Sequence, residues 1–167
     1  MKRKTPSRDA SHGASLSLPL EWPDAPPGTR SFLIVMEGLD APSHPVRHRG
    51  LWDLMPDRIT LPEGYGHGVK TEPLGYGIND FGHLRYEGPA RPNGNRPHRY
   101  QFRIAALDVG TLLPIAKKTV ANLMVADLMF ADLWELAQSH ILTGAALTGI
   151  YTGRRQSRAP PDVNEDS

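Results

Sequence analysis

Gly88-Pro89-Ala90-Arg91-Pro92-Asn93-Gly94-Asn95-Arg96-Pro97-His98-Arg99-Tyr100 runs straight into Gln101-Phe102-Arg103-Ile104-Ala105-Ala106-Leu107. A Gly/Pro loop thus delivers the chain into an apolar, β-branched and aromatic run, the pattern of a strand. The prolines fix φ and remove backbone donors, while the glycines permit close backbone approach. His98 and Tyr100 stand two apart, so on a strand both side chains share one face. A histidine and a phenol at the mouth of a rigid loop suit a small polar pocket for an anion better than they suit a core.

Outward from this strand the chain is punctuated throughout. It carries 16 Gly and 16 Pro in 167 residues, which points to a loop-rich β protein with short strands. Ser31-Phe32-Leu33-Ile34-Val35-Met36-Glu37 is a nearly continuous apolar run and reads as a central strand. Leu16 to Trp22 alternates apolar and polar positions around Pro19 and reads as an edge strand. Leu51 to Met55 reads as a further strand, Gly38 to Gly50 as a loop, and Asp57 to Gly94 as a long ordered loop anchored by Tyr65, Tyr76, Phe81 and Tyr86.

Ala116 to Ile141 lacks Gly and Pro and repeats apolar residues at three and four, ending in Leu133, Leu136, Ala137 and Ile141. This predicts a helix with one buried stripe, and that stripe is also a candidate homodimer face. Gly144 to Tyr151 is expected to return to the sheet. Residues 1–14 and 153–167 read as flexible ends around one domain over 15–152.

The totals narrow the function classes. Lys plus Arg is 19 against 18 for Asp plus Glu, so no broad nucleic-acid footprint is expected. The chain has no cysteine, which excludes disulfides and thiolate chemistry. No apolar run approaches a membrane span, and the basic start Met1-Lys2-Arg3-Lys4 is not followed by an apolar stretch, so a cytoplasmic protein is expected.

The seven histidines are scattered, and Pro42 and Pro45 deny His44 and His48 a shared helix face, so neither metal nor cofactor is expected. Ser43 has histidines nearby in sequence, but no Gly-x-Ser-x-Gly elbow accompanies it.

Several segments, taken in order, resemble the phosphatidylethanolamine-binding protein family, which includes the Raf kinase inhibitor protein, and its bacterial branch in particular. They are Ser17-Leu18-Pro19-Leu20-Glu21-Trp22 with Pro26-Pro27-Gly28-Thr29, then Asp40-Ala41-Pro42, His48, and Asn79-Asp80-Phe81-Gly82. Tyr86-x-Gly88-Pro89-x-x-Pro92-x-Gly94, Pro97-His98-Arg99-Tyr100 and Thr148-Gly149-Ile150-Tyr151 complete the set. The resemblance implies a mainly β fold, a sandwich of two antiparallel sheets with one or two C-terminal helices. It also implies a pocket for phosphate or a phosphorylated headgroup, lined by Asp40, Pro42, His48, Tyr86, Gly88, Pro89, Arg91, Pro92, His98 and Tyr100. Asp40 is expected to orient an imidazole, and a cis peptide at Arg91-Pro92 would suit the pocket loop.

The chain departs from the family pattern where Gly38 and Leu39 replace an Asp-Pro pair, where Arg49 replaces the aromatic after the pocket histidine, and at Arg91. The function implied first is non-catalytic anion, phospholipid-headgroup or phosphorylated-ligand binding. Inhibition of a kinase or protease through Arg47, Arg49 and Arg91 comes second, and a small hydrolase or isomerase third.

Overall fold

The computed structural model describes residues 16–65, 75–89, 96–113 and 130–151. Seven strands and one short helix occur among them: β1 Leu20–Glu21, β2 Ser31–Gly38, β3 Val46–Leu54, β4 Thr60–Leu61, β5 Gly75–Gly77, β6 His98–Leu107, α1 Phe130–Ala137 and β7 Ile141–Tyr151. A 3₁₀ turn over Gln138–His140 links α1 to β7. The fold is mainly β with two sheets, and every strand pair is antiparallel. The larger sheet has the order β5-β3-β2-β6-β7, and β1 pairs with β4 in the smaller one.

β2 is central because both faces of its apolar run are covered. Phe32, Ile34 and Met36 pack with Trp22, Leu61, Tyr76, Tyr86, Tyr100 and Phe102 in one core. Leu33 and Val35 point the other way, into a second core with Trp52, Ala105, Leu107, Leu112, Leu133 and Ala137. Period-two side chains send alternate residues to opposite faces, so a strand covered on both sides needs an unbroken apolar run. At its entry, Gly28 adopts φ 89, and Thr29 Oγ1 donates to the Pro26 carbonyl over 2.7 Å.

β3 is longer than its apolar residues suggest. It begins at Val46, inside the segment expected to be loop, because β2 supplies pairing partners back to Val46, while β5 pairs only with Gly50 to Trp52. Its register against β2 shifts twice. Phe32 faces Leu54 and Ile34 faces Leu51, so Trp52 and Asp53 together oppose Leu33; Asp53 adopts φ 59 there. Met36 faces Arg49 and Glu37 faces Arg47, which leaves His48 as an extra residue. A bulge of this kind re-aims side chains that strict alternation would separate.

Two further boundaries differ from expectation. Only Leu20–Glu21 of the first segment is strand. The helix ends at Ala137, not Ile141, and Ile141 opens β7. Ile141 still packs against the second core, so its apolar character fits a helical stripe and a strand equally well. The earlier part of the predicted helix, 114–129, lies outside the described residues.

A histidine pocket at the end of the large sheet

The candidate site forms where β2, β3 and β6 end together. Gly38 pairs with Tyr100 on one side and with Val46 on the other. His48 is 3% exposed, and its ring stands 5.2 Å from that of Tyr100 in an edge-on arrangement. Phe81 tilts over the same imidazole at 5.4 Å. Tyr151, which pairs with His98 across β6 and β7, sets its ring edge-on to Tyr100 at 6.5 Å.

Gly38 packs directly against two of these rings. A Cβ there would stand 3.1 Å from His48 Nε2 and 3.2 Å from Tyr100 Cε1. The residue that the sequence marks as a departure therefore lets both rings close up against the backbone, nearer than a side chain there would ordinarily allow. An Asp at this position would set its side chain against His48 Nε2.

His48 is held from behind by backbone. Its Nδ1 donates to the Glu87 carbonyl over 2.7 Å. This fixes the neutral ring as the Nδ1–H tautomer and leaves the lone pair of Nε2 facing Gly38. Burial lowers the pKa of the imidazole below its ordinary value, against the opposing pull of the Glu87 carbonyl and the Asp80 and Glu87 carboxylates.

The expected Asp40–imidazole bond is absent among the described residues. Asp40 is committed to Arg99 instead, accepting from its backbone N–H at 2.6 Å and its Nη2 at 2.5 Å. Those hydrogen bonds pull its pKa down to about 2. Asp40 thus staples the end of β2 to the start of β6, beside His98, whose charge also lowers its pKa.

The segment from Asn79 to Pro89 forms the third wall. Asn79, 1% exposed, organises it from within. Its Nδ2 donates to the carbonyls of His48 at 3.3 Å and Arg85 at 2.9 Å, and its Oδ1 accepts from the N–H groups of Phe81 and His83. Tyr86 is buried and its phenol is pushed up to about 12 by that burial. Glu87 N–H returns to the His48 carbonyl at 3.3 Å, which carries Gly88 and Pro89 past the site.

The structure therefore brings His48, Tyr100, Tyr86 and Gly88-Pro89 to one end of the sheet. His98 shares their face of β6 as its first residue. Pro42 lies exposed in the bend after Asp40. Arg91, Pro92 and the peptide between them lie outside the described residues. Sequence reasoning did not assign Phe81, Asn79, Tyr151 or the Glu87 carbonyl to the site. A backbone carbonyl has no residue signature, and Asn79 had been read only as part of a motif.

The chain matches the family model "Phosphatidylethanolamine-binding protein" over residues 3–152. A UPF0098 protein of Methanothermobacter thermautotrophicus is 34% identical over 150 residues, covering 89% of this chain and 90% of that relative. YbhB of Escherichia coli is 38% identical over 104 residues, and one from Aquifex aeolicus is 36% identical over 100. Those two alignments cover 58% and 60% of this chain but only 63% and 58% of the relatives.

Among solved structures, E. coli YbcL, described as a member of the mammalian PEBP family, superposes with a TM-score of 0.72 at 25% identity. That superposition covers 89% of this chain and 87% of YbcL. A PEBP homologue from Chlamydia trachomatis gives a TM-score of 0.65 at 26% identity, over 83% of this chain and 82% of that one. With nearly its whole length matched in sequence and the same sheets in space, the chain belongs to the phosphatidylethanolamine-binding protein family.

Proposed function

We propose that this protein binds a small oxyanion, phosphate or a phosphorylated ligand, between His48, Tyr100 and His98, and does so without turnover. The observation that carries this reading is the buried His48 ring, held at Nδ1 by the Glu87 carbonyl with Nε2 turned to the sheet end where Gly38 and the edge of Tyr100 lie. The ring of His48 is fixed at Nδ1, so Nε2 is the atom left to meet a ligand. A proton between Nε2 and a phosphate oxygen, brought by either partner, makes a charge-assisted hydrogen bond in a low-dielectric site. Gly88 and Pro89 would form one wall beside the anion; Arg91 and Pro92, which the family resemblance adds as ligand contacts, lie outside the described residues.

Non-catalytic binding fits the surroundings of the imidazole. Nδ1 is met by a carbonyl, not by a carboxylate that would strengthen a general base. Among the described residues no hydroxyl hydrogen-bonds His48, and the chain has no cysteine.

Thermal unfolding in increasing phosphate tests the reading. A ligand that binds only the native state adds about 2.7 kcal/mol at a hundredfold excess over Kd. The wild type should rise in Tm with phosphate, and His48→Phe and Gly38→Ala should not. Gly38→Ala presses a methyl group against His48 Nε2 and the Tyr100 ring, the two groups proposed to meet the anion. Equal phosphate-dependent rises in all three proteins would reject it.

A further inference from the structure

Arg49 stands beside this site and is not accounted for by the fold. It is 5% exposed, yet among the described residues it meets no carboxylate. Its Nη2 donates to the Tyr65 carbonyl, its Cζ lies 5.9 Å from the centre of the Tyr86 ring, and its Nε has no hydrogen-bond partner. Burial lowers its pKa, and the titratable groups nearest it are the phenols of Tyr76, Tyr86 and Tyr65, which are uncharged near neutral pH. A guanidinium keeps its proton under such conditions. A buried cation without a counter-ion is costly, and the cost is relieved when an anion pairs with it.

The bulge in β3 links Arg49 to the pocket. Arg49 faces Met36, and His48 is the extra residue beside it. His48 packs on Tyr100 and Arg49 packs on Tyr86, both members of the same core, so the two consecutive side chains leave one face of the sheet. Their Cα atoms are about 3.8 Å apart, as across any trans peptide. They are also held by consecutive residues of the opposite wall, Arg49 by the Tyr86 ring and His48 by the Glu87 carbonyl.

The acidic groups around the site are already engaged. Asp40 pairs with Arg99, Glu37 with Arg103, Asp80 with Arg47, and Glu87 with His83 and Arg85. None of these four carboxylates pairs with Arg49, and Gly38 supplies none.

We propose that Arg49 sets the charge of the ligand: the pocket takes a phosphate monoester with two negative charges in preference to the singly charged phosphodiester of a membrane phospholipid. The inference rests on the anion-binding reading above and names the ligand class. A monoester carries between one and a half and two charges near neutral pH, at about −1.5 to −2, because its second pKa is about 6. A diester carries one charge and no titrating proton. His48, neutral in the empty site, gains a proton at Nε2 as the anion arrives, and with Arg49 it then supplies two positive charges, which match the monoester and exceed the diester. The unpaired Nε offers a donor to a second phosphate oxygen.

Titration calorimetry near neutral pH with ethyl phosphate and diethyl phosphate tests this on the full chain. Wild type should bind ethyl phosphate at least tenfold more tightly than diethyl phosphate. Arg49→Met should weaken ethyl phosphate about tenfold and diethyl phosphate less than twofold, and Arg49→Lys should recover part of the preference. Equal affinities for the two probes in wild type, with binding that still depends on His48, would overturn the role of Arg49 and leave the anion pocket standing. An unchanged preference in a folded Arg49→Met protein would do the same. Failure of wild type to bind either probe would remove both readings. The wild-type comparison needs no variant, so a poorly folding substitution does not decide the question.

Discussion

The carbonyl oxygen of Glu87 lies 2.7 Å from Nδ1 of His48, and this one bond decides which nitrogen of the ring meets the pocket. Burial outweighs that bond and makes His48 a neutral base whose folded pKa sits below its ordinary value of 6.5.

Stability should therefore depend on pH in a definite direction. A base with a depressed folded pKa binds more protons when unfolded, so stability rises with pH across the window. The His48 contribution is fully present above 6.5 and is lost as pH falls toward the lower folded value. In a buffer free of phosphate and sulfate, Tm should fall between about pH 7.5 and about pH 5.5. His48→Phe should flatten this slope, and added phosphate should raise Tm most at the acid end, where it meets an imidazolium. A wild-type slope identical to that of His48→Phe would contradict the assignment.

Asn79 offers a test of the third wall. Its four hydrogen bonds hold the turn that carries Phe81 and lead to Tyr86 and Glu87. Asn79→Ala leaves buried backbone groups unpaired and should cost about 3 kcal/mol. Phosphate affinity should fall with it, because the Glu87 carbonyl loses its position. Denaturant unfolding and calorimetry on the same variant check both effects; a stable variant with wild-type affinity would show that the wall forms without Asn79.

Gly75 probes the other face of the sheet. It pairs with Trp52, and a Cβ on Gly75 would fall 1.8 Å from Trp52 Cε2. Trp52 is 2% exposed and cannot swing away. Gly75→Ala should therefore destabilise by about 2 kcal/mol or more through overpacking. Because the clash lies on the second core, phosphate affinity measured well below Tm should stay near wild type. Wild-type stability in Gly75→Ala would show that the indole does not lie across this glycine.

The strands β2 and β6 were legible in the sequence because their signal is local. Phe32 to Met36 is apolar without interruption, and His98 and Tyr100 share a face by spacing alone. The loop motifs added the family, and with it a set of candidate residues of which His48, Tyr86 and Tyr100 gather at one end of the sheet. β3 was half missed because Val46-Arg47-His48-Arg49-Gly50 has no strand-like alternation; β2 imposes the pairing. The helix boundary was misplaced for a related reason. Ile141 continues the helical spacing but joins the same core from a strand.

What the residues alone determined was which segments must be buried and which polar side chains lie at a loop mouth, since both depend on order along the chain. Tertiary structure decided the rest. The extra residue at His48 turns two consecutive side chains to one face, a choice made by register against β2 and invisible in β3 itself. The orienting group for the imidazole is a carbonyl 39 positions away, while the carboxylate that seemed suited to it is bound to Arg99. Competition among partners in space settles such assignments, and no single segment contains both competitors.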